Sequence, residues 1–368
     1  MRSRTISKPL DVTVPLTEDF ATLLPGNERG AAMRIFALVM TSVIVQASVA
    51  RADAVADFYQ GKTIRVIVAG GAGASLGLYS RVFSDAMGKY IPGNPTLVPD
   101  FRGGAGGTLA PAFMVNAAPH DGTHIGLILP PTVYAPLLSA QKYDASKFLW
   151  IGSMTPRPAV ISVLDTSPAK TLEQAKRIEV ILGSSGKSSE TYLIPSFMNA
   201  FLGTKFKIVT GYKAGDDINL ALERNEVHGR MQYWTGWTTI KQDWLQTGKL
   251  IHFVQYGPRI KEIPNVAYLG DLVKDPEQQR MFKFLEIAQY IGMGFYFPPG
   301  VPADRVAAVR NGFETFMNDP EVKADAAKRS MELELVKGEE LQKLVQQALA
   351  IEPAVVEKLK EAIGFKTE

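Results

Sequence analysis

With 368 residues, 46% of them apolar and 21% charged, the chain is long enough to bury one large core or two medium ones. Its formal net charge of +3 is too small to argue for nucleic acid or an anionic membrane surface as a partner. Cysteine is absent, which excludes disulfides, thiolate metal sites and cysteine nucleophiles together. His120 and His124 are four apart but flank Gly122 and follow Pro119, which reads as a turn, so neither a metal nor a cofactor is expected.

Met33 and Arg34 precede an apolar run over 35–45, and small residues follow up to Ala54. A basic start, a short apolar stretch and Ala-x-Ala sites predict a secretory signal peptide over 33–54, with cleavage after Ala52 or Ala54. The run is too short for a good membrane span. Residues 1–32 read as an upstream extension before a true start at Met33. An exported chain without cysteine suits a bacterial periplasm.

The β-branched run over 64–69 predicts a strand buried on both faces. Tyr79, Val82, Phe83, Ala86, Met87 and Tyr90 then repeat at helical spacing. Between them lie Gly70, Gly71, Gly73 and Gly77, with Ser75 placed to cap the helix. Such a turn points backbone N–H groups outward at a positive helix terminus, so Ala72, Gly73, Ala74, Ser75, Leu76 and Gly77 are candidates to hold an anion. Gly71, Gly73 and Gly77 are spaced one residue too long for the dinucleotide fingerprint. The stretch Gly183–Ser189, GSSGKSS, fails as a phosphate loop because Ile181 stands where the first glycine belongs.

A second strand is predicted over 96–100, then a glycine loop from Arg102 to Gly107, a helix over 109–117 and a third strand over 125–129. Alternation with short connections argues for a parallel sheet flanked by helices, with ligands beyond the carboxyl ends of its strands. Pro130 and Thr132 occupy one such end. The apolar run over 159–164 reads as a crossing between domains. The alternation then restarts: a helix over 171–177, a strand over 180–182, a loop to Glu190, a helix over 192–202, and a strand over 206–210. Gly211-Tyr212-Lys213-Ala214-Gly215 leads to a helix over 216–225, and 227–233 leads into Trp234, Trp237 and Trp244. A strand over 250–255 follows, and the C-terminal part is helical, restarting at Asp319-Pro320-Glu321. Two α/β halves with facing glycine loops imply a cleft.

From the far side of that cleft Ser185, Ser188 and Ser189 are candidate donors. Lys187 and Arg230 are candidate counter-charges for a second carboxylate, because an arginine fork binds carboxylate bidentately. Tyr212, Tyr233, Trp234 and Trp237 are candidates for an aromatic wall, and Gln232 is grouped with Arg230 on the same strand. No G-x-S-x-G elbow encloses Ser185 or Ser188, and Asp216 and Asp217 read as helix-start acids. A binding module therefore outranks a nucleotide-binding or hydrolytic enzyme.

These features together resemble the Bug-type substrate-binding proteins of tripartite tricarboxylate transporters. The resemblance rests on Phe58-Tyr59-x-Gly61-Lys62-x-Ile64, the glycine loop, Gly103-Gly104-Ala105-Gly106-Gly107 and Ala118-Pro119-His120-Asp121-Gly122-Thr123. It continues through the serine loop at 184–189, Gly211-Tyr212-Lys213 and Pro298-Pro299-Gly300-Val301-Pro302. It implies a periplasmic, two-lobed binding-protein fold of type II-like form, each lobe a mixed sheet flanked by helices. The first lobe would be 55–158 plus 278–368 and the second 159–277. It further implies a monomer that closes on a small organic carboxylate, a di- or tricarboxylate or an aromatic acid, and delivers it to membrane transporter subunits. A ligand-sensing partner of a membrane receptor is the alternative. The family often carries an acid near the start of the first helix, where Gly77 stands here, and threonine and histidine in the second loop, where Ser189 and Tyr192 stand.

Overall fold

The computed structural model describes residues 54–365. The upstream extension and the proposed signal peptide, apart from its last residue, lie outside the described residues.

The strands form two sheets. The first contains β1 (Thr63–Val68), β2 (Thr96–Phe101), β3 (His124–Leu127), β4 (Leu149–Ser153), β10 (Gly294–Phe297) and β11 (Val336–Lys337), in the order β11-β4-β10-β3-β1-β2. The second contains β5 (Ala159–Leu164), β6 (Val180–Ser184), β7 (Phe206–Thr210), β8 (Gly229–Tyr233) and β9 (Leu250–Tyr256), in the order β7-β6-β8-β5-β9. Strands joined through a helix run parallel, β1 with β2 and β3, and β6 with β7 and β8. Strands reached by the longer excursions run antiparallel, β10 with β3 and β4, and β5 with β8 and β9. Both sheets are therefore mixed, as the resemblance implied, whereas strand–helix alternation alone argues for parallel pairing.

The run over 159–164 is not the crossing that its sequence suggests. It is β5, paired on both sides, with all six residues buried. A continuous Val/Ile run marks a strand covered on both faces, and that physical reading takes precedence. The chain leaves the first sheet just before it, through Met154–Pro158. Strands β4 and β10 escape the sequence pattern because LWIGS and GFYF are short and each includes a glycine.

Two main cores follow the sheets. The first gathers β1, β3, β4 and β10 with the helices Ser75–Met87, Ala303–Asn318 and Gly338–Leu349. The second gathers β5, β6 and β9 with the helices Glu190–Leu202 and Pro276–Ile291. It also takes Tyr134 and Leu138, and Val355, Val356 and Leu359 of the last helix, Pro353–Ala362. The C-terminal segment is thus shared between the cores.

Candidate functional site

Strand β1 delivers the glycine loop to the edge of the cleft, and the helix Ser75–Met87 starts there with extended Ala74 as its cap residue and no side-chain cap. Ser75, expected as the cap, is instead the first helical residue. It is buried, and its Oγ accepts a hydrogen bond from Arg157 Nη2 at 2.9 Å. The exposed end of the loop already faces an anion belonging to the protein. Gly73 N–H donates to Asp216 Oδ2 at 3.2 Å. Asp216 stands in the first turn of the helix Gly215–Glu223, which belongs with the second sheet. A Cβ on Gly71 would lie 2.5 Å from both Asp216 carboxylate oxygens, so a larger residue here would push that carboxylate aside. Asp217 does act as a helix-start acid, accepting from the backbone N–H of Lys213 at 3.0 Å and of Ala214 at 3.3 Å.

The serine loop is built around Thr191. Its Oγ1 accepts from Ser185 N–H at 3.1 Å and is 2.9 Å from both Ser184 Oγ and Ser189 Oγ. Ser189 caps the helix Glu190–Leu202 by accepting from Thr191 N–H at 3.3 Å. A second glycine loop, Arg102–Gly107, meets the serine loop across the cleft: Gly106 N–H donates to Ser185 carbonyl oxygen at 3.2 Å. A Cβ on Gly186 would stand 2.9 Å from Gly106 N, so backbone passes directly against backbone here. The lobes are closed.

Between the loops lies a cavity of about 60 Å³, room for roughly four waters at ~15 Å³ each. Of the residues put forward from sequence, Ala74, Ser75, Leu76, Ser185, Ser189, Arg230 and Gln232 line it, and so does Tyr233 from the aromatic group. Ala72, Gly73, Gly77, Pro130, Thr132, Lys187, Ser188, Tyr212 and Trp234 do not. Thr132 is buried, its hydroxyl donating to Leu129 carbonyl oxygen at 2.7 Å. Lys187 is exposed. Trp234 lines a separate groove beside Pro258 and Arg259, and Trp237 is buried against Trp244. The aromatic wall therefore reduces to Tyr233.

The residue that sequence reasoning missed is Arg157. It sits in the crossing between the sheets, 1% exposed, with its guanidinium 3.4 Å from the centroid of the Tyr233 ring. Its Nη2 is engaged by Ser75, but buried Nε and Nη1 have no partner among the described residues. Burial holds its pKa below the ordinary arginine value. The available signal was a lone cation between Pro156 and Pro158, directly before an apolar strand. A buried guanidinium with unpaired donors at a cavity is costly unless an anion arrives.

Arg230, on β8, is 3% exposed and better satisfied. Its Nε donates to Met231 carbonyl oxygen at 2.9 Å, and its Nη1 donates to Asn219 Oδ1 at 2.9 Å and to Gly215 carbonyl oxygen. Burial pulls its pKa down to about 9, with the Asp216 carboxylate opposing, which leaves it cationic at neutral pH. The Gly215 and Asn219 bonds also anchor the helix that carries Asp216.

A serine–histidine pair occurs elsewhere, Ser162 Oγ 2.8 Å from His252 Nδ1, but Ser162 is buried in β5 and also accepts from Trp237 Nε1 at 3.1 Å. It presents no nucleophile to the cleft.

The sequence profile of the tripartite tricarboxylate transporter family receptor matches residues 80–360. The chain is 29% identical to a UPF0065 protein of Bordetella bronchiseptica, over 46% of this chain and about half, 51%, of that protein. It is 24% identical to the UPF0065 protein in gbd 5'region of Cupriavidus necator, over 84% of this chain and 90% of that one. Among solved structures, the periplasmic binding protein BugD superposes with a TM-score of 0.67 at 20% identity, over 84% of this chain and all of the other. MatC from Rhodopseudomonas palustris, with bound malate, gives 0.62 at 17% identity, over 82% and 99%. These superpositions share the two-lobed α/β fold.

Proposed function

We propose that this chain, which belongs to the tripartite tricarboxylate transporter receptor family, captures a small organic dianion between its lobes, one carboxylate on Arg157 and the other toward Arg230. The observation that carries the reading is Arg157, fully buried at the cavity with Nε and Nη1 unpaired. Nε–H and Nη1–H leave opposite edges of the guanidinium, so a carboxylate would take one of them together with the second Nη2 hydrogen, the forked pair a guanidinium recognises best. Ser185 and Ser189 add polar groups from the opposite loop, and Tyr233 supports the cation from below. Closure removes water, which strengthens each of these contacts. The malate in the relative MatC agrees in charge and size with this ligand class.

The leader-like segment over 33–54 and the family support a periplasmic receptor that hands its ligand to a membrane transporter. Such a receptor binds rather than converts its ligand. For the lobes we adopt a division by core membership: 55–133, 139–153, 293–350 in one, and 134–138 and 159–275 with the helices Pro276–Ile291 and Pro353–Ala362 in the other.

Thermal unfolding with a graded series of carboxylates (acetate, malonate, succinate, malate, adipate, citrate) tests the reading. A ligand at a hundred times its Kd stabilises by about 2.7 kcal/mol. Stabilisation by short dicarboxylates, lost in Arg157→Met, is expected. A flat response to the whole series, or an Arg157→Met protein that binds as tightly as the parent, overturns it.

A further inference from the structure

Behind Arg157 lies a second buried charged group. Glu190 follows Ser189 directly and is 1% exposed. Its Oε2 accepts from Gln289 Nε2 at 2.6 Å and from Tyr256 hydroxyl at 3.3 Å, whereas buried Oε1 has no partner among the described residues. The titratable groups facing it are Arg157 from the crossing, Tyr233 from the end of β8, Tyr256 from the end of β9 and Tyr134 from the turn after β3. The helix Pro276–Ile291 contributes only the neutral amide of Gln289. Burial holds the three tyrosines neutral. Arg157 and Glu190 are therefore the two groups of this cluster that exchange or carry charge near neutral pH.

They form no direct ion pair, but Gln289 ties them together, its side-chain amide donating to Glu190 Oε2 at 2.6 Å and its backbone carbonyl oxygen accepting from Arg157 N–H at 2.7 Å, so with the cleft empty each is the opposite charge nearest the other in this cluster. A ligand carboxylate on the free donors of Arg157 takes over that role and leaves Glu190 as a surplus anion in a low-dielectric site. We infer that capture of a carboxylate at Arg157 is coupled to uptake of one solvent proton by Glu190, which makes Glu190 the residue that sets the pH dependence of ligand affinity. The proton goes to the unpartnered Oε1, while Oε2 keeps its bonds from Gln289 and Tyr256. No other bond forms or breaks. Burial already raises the Glu190 carboxyl to about 7 against the pull of Arg157, so a small further push suffices. This inference rests on the carboxylate reading of the cleft.

Titration calorimetry of malate in phosphate and in Tris counts the protons, because the two buffers differ in heat of ionisation. Near pH 7 about half a proton is taken up per malate bound, and affinity falls by up to about tenfold per pH unit above the Glu190 pKa. In Glu190→Gln the uptake vanishes and affinity becomes independent of pH. Malate binding without proton uptake, or equal uptake in Glu190→Gln, overturns the coupling and leaves the carboxylate reading intact. Absence of any malate heat strikes the ligand reading instead, and infrared spectroscopy of the ligand-free protein then decides the coupling. At pH 8 a protonated-carboxyl band, absent from Glu190→Gln, is stronger in Arg157→Met than in the parent. An unchanged band refutes it.

Discussion

Gly71 faces Asp216 so closely that adding one methyl group tests the closed geometry. A Cβ at Gly71 would stand 2.5 Å from both carboxylate oxygens and 2.8 Å from Cγ. Gly71 is not among the glycines with left-handed backbone, so alanine costs nothing in dihedral terms and can stabilise the unliganded fold by ~0.4–1 kcal/mol. The clash exists only when the lobes meet. Overpacking of this kind costs about 1–3 kcal/mol, and charged to closure alone it weakens ligand affinity roughly 5- to 150-fold. Asp216→Ala removes all three intruding atoms. It also removes the Gly73–Asp216 hydrogen bond, which with Gly73 exposed contributes about 1 kcal/mol after solvent screening. The double variant Gly71→Ala/Asp216→Ala should therefore bind no worse than Asp216→Ala alone, a coupling of about 1–3 kcal/mol. Calorimetry with malate gives the four affinities, small-angle scattering gives the closed fraction, and urea unfolding separates closure from folding. Strictly additive losses, or a Gly71→Ala protein with parental affinity, would falsify the closed contact.

Arg157→Met should abolish malate binding, a loss of at least ~2 kcal/mol. At pH 6, where Glu190 is mostly protonated and no longer balances the cation, it should also raise ligand-free stability, because a buried charge is replaced by an apolar chain. Urea unfolding and calorimetry on one preparation read both signs. Glu190→Gln should stabilise the ligand-free protein increasingly with pH. A carboxyl raised from 4.5 to about 7 on folding favours the native state below 4.5, loses that advantage between the two values, and carries its full penalty above 7. The gain should be near zero at the acid end and about 3 kcal/mol above pH 7, by melting curves across pH. Ser189→Ala should cost about 1 kcal/mol of stability through the lost cap as well as weakening binding. Lys187→Ala should leave affinity within about twofold, since an exposed lysine outside the cavity contributes little.

The local parts of this site are legible in the sequence and the long-range pairings are not. A glycine turn between a β-branched run and an amphipathic helix is written in consecutive residues, and so are the serine loop and its N-cap. Ser75 misleads because capping is judged from neighbours in sequence, while its hydroxyl is claimed by Arg157, 82 residues away. Asp216 lies 143 residues from the amide it meets, so the loop advertises an anion site without revealing whose anion fills its rim. Arg157 escapes notice because a single charge between prolines looks like a surface turn until both sheets enclose it. The run over 159–164 shows the converse: its hydrophobicity is plain, but only pairing with β8 and β9 tells a buried strand from an apolar linker.

The crossing that carries Arg157 is laced to the returning chain. Arg157 N–H donates to Gln289 carbonyl oxygen at 2.7 Å, Met293 N–H to Thr155 carbonyl oxygen at 2.9 Å, and Met154 N–H to Met293 carbonyl oxygen at 3.2 Å. Such a double-stranded ribbon is the fulcrum of a hinge, and points on a fulcrum barely travel when the arms swing. A hinge at this ribbon would leave Arg157 in place with the jaws apart, whereas the Gly73–Asp216 and Gly106–Ser185 contacts would form only when they shut. On the proposed reading an arriving metabolite would meet Arg157 at the back of the open mouth and the rim contacts would lock afterwards, an order of docking before clamping.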